Sequence, residues 1–154
     1  MGFYDWMLAL HVLSAFAVAA ALVLYAVLVF AGRRIRTLEE TRLLFRVAPI
    51  GGPLIGIGMG LALLFGIVLA IDAEEYQLWD AWVLIGIVLW AAMGAAGQRT
   101  GAYYLDVQKR AESGDASGDD VIARLQAPTG MTLQLVTMAL FVLIVLDMIF
   151  KPWA

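Results

Sequence analysis

The 154-residue chain has no cysteine and a single histidine, His11. The missing cysteine excludes disulfides, thiolate metal sites and cysteine nucleophiles, and leaves the redox compartment open. The lone histidine confines imidazole chemistry to one position. Charge is also scarce. Asp, Glu, Lys and Arg make up 15% of the residues, whereas a soluble domain carries about a quarter. Lysine occurs only at Lys109 and Lys151, the net charge is -3 and no basic stripe is present, which argues against a nucleic-acid partner. There is no Gly-rich phosphate loop, no HExxH motif and no nucleophile elbow, so no catalytic signature stands out.

What remains is apolar. Hydrophobic residues account for 63% of the chain, more than one small core can hide, and the class is therefore integral membrane. Runs at about 6–32, 48–71, 78–96 and 131–150 each meet the requirement of about 20 mainly apolar residues for a membrane crossing. Open strands cannot satisfy their backbone groups in lipid, so the runs are read as helices. The expected fold is all-α: a polytopic, antiparallel bundle of four transmembrane helices in one domain, the third extending to about 112. The start, "MGFYD", has no positive charge, and the apolar run after it is longer than a signal peptide's, so the first helix is expected to stay.

Basic residues set the expected orientation. Arg33, Arg34, Arg36, Arg42 and Arg46 lie between the first two runs, and Arg99, Lys109, Arg110 and Arg124 between the last two. The segment "DAEEYQLWD" has none. The positive-inside rule then places both termini outside, and Trp6, Trp79, Trp82 and Trp153 form an outer aromatic belt. Abundant Ala, Gly, Val and Arg suggest a bacterial inner membrane. The segment "RRIRTLEETRLLFRV" puts Ile35, Leu38, Arg42 and Phe45 near one face, as an extension of the first helix or an interfacial helix. "SGDASGD" reads as a linker, with Asp119 or Asp120 capping a short helix before Pro128.

Gly52, Gly56 and Gly60 recur at four-residue spacing, which lets another helix approach closely, either inside the bundle or across a homodimer. His11 and Asp147 fall at similar depth near the outer face. Intramembrane charges usually face the bundle interior or water, so the two can pair. The alternatives are an Asp147–Lys151 ion pair at i+4 and a hydrogen bond from His11 to a carbonyl or to Ser14. Met7 shares a face with His11, and imidazole with thioether suits copper. Met7, His11 and Asp147 are thus the candidate cofactor residues. Haem would need His/Met ligation or sharing across a dimer. Tyr25 lies on the His11 face, and Thr132, Gln134 and Thr137 line the inner end of the last run. Asp72, Glu74, Glu75 and Asp80 form an outer acidic loop. No carboxylate falls near mid-bilayer, which counts against a proton-driven transporter.

In order, "LHVLSAF", the arginines closing the first helix, "GIGMGLALLFG", "DAWVLIGIVLW" and "LDMIFKP" resemble the bacterial four-helix membrane proteins of domain-of-unknown-function family 2269. The resemblance implies a four-helix inner-membrane protein with no assigned activity. More distantly, "LH" early in the first helix is similar to membrane families linked to copper resistance and haem biosynthesis. The expected function is non-enzymatic: a lipid-embedded packing or accessory subunit of a larger complex, or a homo-oligomer. The alternatives are a haem- or copper-binding redox protein using His11, and a transporter of small molecules or ions.

Overall fold

The computed structural model describes residues 2–46, 51–72, 77–113 and 117–151. Among these residues it is all-helical: α1 (Phe3–Gly32), α2 (Leu38–Phe45), α3 (Gly51–Asp72), α4 (Ala81–Ser113), α5 (Gly118–Gln126) and α6 (Pro128–Phe150). Four stretches, α1, α3, α4 and the one ending in α6, are long and apolar enough to cross a membrane, so the chain is a multi-pass membrane protein. Leu13, Phe16, Val27, Ile57, Val88 and Phe150 are large apolar side chains left exposed on these helices, as lipid-facing residues must be.

The helix ends follow local chemistry. Pro128 occupies the first turn of α6, where its missing N–H costs nothing, so this helix starts three residues before the apolar run. The cap of α5 is Ser117, whose hydroxyl accepts the Asp120 N–H at 3.2 Å. This corrects the expected Asp119 or Asp120 cap; both aspartates lie in the first turn instead, where they face the positive end of the helix. α2 is a separate helix rather than an extension of α1. It opens on a reciprocal capping box: Glu40 N–H donates to the Thr37 hydroxyl, and the Arg36 and Thr37 N–H groups donate to Glu40 Oε2.

Two helix pairs carry most of the packing, α1 with α3 and α4 with α6. Along α1 and α3, His11 meets Gly66, Val18 meets Gly58 and Tyr25 meets Gly51. Along α4 and α6, Gly86 meets Asp147 and Met148, while Tyr104 meets Gly130. Gly58 and Gly86 allow these close approaches, because an added Cβ would lie 2.9 Å from Val18 Cγ2 or 2.8 Å from Met148 Cε. An apolar cluster around Val18, Leu22, Met59 and Met93, flanked by Trp90 and Phe141, draws all four spanning helices together.

α4 is 33 residues long. At 1.5 Å per residue it measures roughly 50 Å, beyond a hydrocarbon core of about 30 Å. Its far end packs with α2 and α5 into a cap with its own core: Ile35, Phe45, Val107, Ala111, Val121 and Leu125. Arg42 donates to the Ala111 carbonyl, Gln126 to the Ile35 carbonyl and Tyr103 to the Arg124 carbonyl. Asp106 accepts from both Arg110 and Arg124 at the edge of this cap.

Candidate functional site

α3 and α4 follow one another in the chain yet meet only sparsely. Their link is the Trp90 indole N–H donated to the Met59 carbonyl at 3.1 Å, with Met59 Cε close to Gly94. From there a cleft of about 500 Å³ opens towards the cap. Gly52, Gly56 and Gly60 wall it on α3, and Gly94, Gly97 and Gly101 on α4. Tyr25, Gln134 and Thr137 of α1 and α6 contribute to its lining, with Thr100 and Tyr104 of α4. Its volume lies within the range of about 300–1,000 Å³ typical of small-molecule sites.

Within the triplet, Gly52 lies against Tyr25 of α1, whereas Gly56 and Gly60 face the cleft. Among the described residues, and beyond the backbone of α3 itself, an added Cβ at Gly56 or Gly60 would meet nothing within 4 Å, and one at Gly52 the Tyr25 hydroxyl at 3.7 Å. Gly51 and Gly58 face α1. Spacing alone cannot choose between these stripes, because they lie on different faces of one glycine-rich helix.

Buried polar groups cluster beside the cleft. Thr100 and Thr137 donate to the Ala96 and Leu133 carbonyls of their own helices and lie 3.5 Å apart. Gln134, 3% exposed, donates to the Leu22 carbonyl at 3.1 Å, a hydrogen bond between α6 and α1. Thr132 is exposed and takes no part in the lining.

The expected outer site is not assembled. His11 Nδ1 bonds to the Ala62 carbonyl at 2.9 Å, so the imidazole joins α1 to α3. Ser14 donates to Leu10 instead. Asp147, 6% exposed, belongs to α6 and packs against Gly86 of α4, and neither carboxylate oxygen has a hydrogen-bond partner among the described residues. It pairs with neither His11 nor Lys151, whose ammonium sits over the Trp82 ring, 5.3 Å from its centroid. Trp82 is itself buried, not part of a lipid-facing belt, while Trp6 and Trp79 are exposed. Met7 is half-buried on the His11 helix, and no group of three or more His, Asp or Glu able to hold a metal occurs among the described residues. Trp153, Glu74 and Glu75 lie outside the described residues.

Sequence reasoning singled out Tyr25, Gln134, Thr137 and one glycine wall, but not the cleft they share. The second wall, Gly94, Gly97 and Gly101, was legible as small residues at helical spacing. No family model, curated protein or solved structure matches the chain.

Proposed function

We propose that this chain is a non-enzymatic bacterial inner-membrane protein that receives an apolar occupant from the bilayer into the α3–α4 cleft. The observation that carries this reading is the open glycine wall: beyond the backbone of α3 itself, no atom of the described residues lies within 4 Å of a Cβ at Gly56 or Gly60. Such a wall exposes backbone to whatever lies alongside it. The arginine-rich segments support an antiparallel four-helix bundle with both termini outside and the cleft in the cytoplasmic half. The motif order resembling domain-of-unknown-function family 2269 supports the same cellular placement.

Native mass spectrometry of the protein released from nanodiscs tests the reading. The wild type is expected to carry a bound mass that Gly56→Leu lacks, with helix content unchanged. Identical spectra for the two proteins would refute it. The same wall favours a second reading, in which another transmembrane helix seats there in a homo-oligomer or larger complex; Gly56→Leu would then change the subunit stoichiometry instead.

A redox reading rests on His11. Donation of Nδ1–H to Ala62 fixes the tautomer in which Nε2 keeps its lone pair, the arrangement that orients a ligating histidine. A Soret band or bound copper that disappears in His11→Ala would support it; a blank absorption spectrum and metal analysis of protein from cofactor-replete cells would eliminate it.

A further inference from the structure

The lining of the cleft specifies the head of its occupant, given the reading above that an apolar molecule enters from the bilayer. No Asp, Glu, Lys, Arg or His lines the cleft among the described residues. A phosphate, carboxylate or ammonium head would therefore enter without counter-charge, which a low-dielectric site penalises heavily. The lining is also polarised along its length. Ile55, Met59, Trp90 and Met93 make one end apolar, and the Trp90 N–H is already committed to the Met59 carbonyl. The hydroxyls of Thr100 and Thr137 are committed to carbonyls of their own helices.

Of the other polar side chains in the lining, Gln98 is exposed and Tyr25 is already engaged, while Gln134 and Tyr104 are the more enclosed groups nearer the cap. The Gln134 amide nitrogen donates to Leu22, but the amide oxygen accepts no hydrogen bond from the described residues, although the side chain is 3% exposed and lines the cleft. This oxygen is not one of the fully buried, unpartnered atoms of the structure, and so it stays accessible from the cleft and open to a donor on the occupant. The Tyr104 hydroxyl, on α4 and against Gly130 one turn before Gln134, makes no hydrogen bond with the described residues and can donate. One acceptor needing a donor and one donor needing an acceptor match a hydroxyl, which is both. A carbonyl head would leave the Gln134 oxygen unsatisfied. We propose that the cleft binds an uncharged, hydroxyl-headed amphiphile of the diacylglycerol or long-chain alcohol type. Its hydroxyl donates to Gln134 Oε1 and accepts from Tyr104, and its chain runs along the glycine walls towards Met59.

The test uses the full chain in phosphatidylcholine nanodiscs and two diazirine probes, a diacylglycerol and an alkane without a head, with adducts mapped by peptide mass spectrometry. The diacylglycerol is expected to label the α3–α4 walls about fivefold more efficiently than the alkane, the scale of one neutral hydrogen bond. Tyr104→Phe, which keeps the ring, should abolish that preference, and Gly56→Leu should remove labelling by both probes. Excess phosphatidylglycerol should not compete. Equal labelling by the two probes, or displacement by phosphatidylglycerol, overturns the hydroxyl assignment while leaving the cleft reading intact. Absence of wall labelling by either probe, or labelling that survives Gly56→Leu, overturns both.

Discussion

At the scale of single residues, two positions have opposite expected signs. Asp147 is buried, with both oxygens unpartnered among the described residues, within a helix long and apolar enough to span the membrane. An unsatisfied buried polar group costs about 1–3 kcal/mol. Asp147→Val is therefore expected to stabilise the protein by about that amount, read as a raised melting temperature in detergent; a lowered one would show that the carboxyl has a partner from outside the chain. The glycines of α3 form a second contrast. Gly58→Ala would drive a Cβ to 2.9 Å from the stiff Val18 side chain and 3.2 Å from the Ser14 carbonyl. It should cost about 1–3 kcal/mol through overpacking. Gly56→Ala meets open space and should be neutral or stabilising by up to about 1 kcal/mol from helix propensity. Thermal unfolding of the two single variants separates the packed face from the open one.

At the scale of elements, α2 is held by its cap more than by its length. Thr37→Ala should cost about 1 kcal/mol, seen as faster amide exchange confined to α2. The backbone N–H groups of Arg36 and Thr37 hold the Glu40 carboxyl below its ordinary value of 4.5. A depressed folded value means that the stabilisation is complete above the unfolded value and is lost as pH falls through the folded one. Protection of the α2 amides should accordingly hold at neutral pH and fall below about pH 4.5; protection that increased on acidification would contradict the box.

The spanning elements were legible because length and apolar content are properties of a window, and hydrocarbon thickness converts them directly into helices. The Tyr25–His11 face was legible too, since both residues turn towards α3. The Ser117 cap was not, because Ser, Asp and Asp within four positions all suit a cap and only the backbone decides. Nor was the cleft, which depends on how α3 and α4 pair, and tertiary pairing leaves no local trace in a helix apolar on every side. His11 and Asp147 were placed at one depth, but depth does not specify which neighbouring helix each faces.

At the scale of the whole molecule, the cap and the spanning helices have separate cores, Val107 and Val121 in one and Met59 and Met93 in the other. Leu125, 3% exposed, packs on Gly32 and belongs to the cap. Leu125→Ala should cost about 2–5 kcal/mol, and the loss should be local. Protease cleavage would then appear in α2 and α5 while the spanning helices stay protected; cooperative loss of all helices would show that the two cores fold as one unit.

The sparse meeting of α3 and α4 gives the molecule the shape of a wedge. The methionine cluster is its fulcrum, and the two helix pairs are its arms. On the cap side the arms are tied by the cap core, the Gln134–Leu22 hydrogen bond and Leu125 on Gly32, so it is only between α3 and α4 that they stand apart. α4 is one arm and also runs unbroken into the cap. The helix that walls the cleft and the helix that carries the cap are thus one and the same.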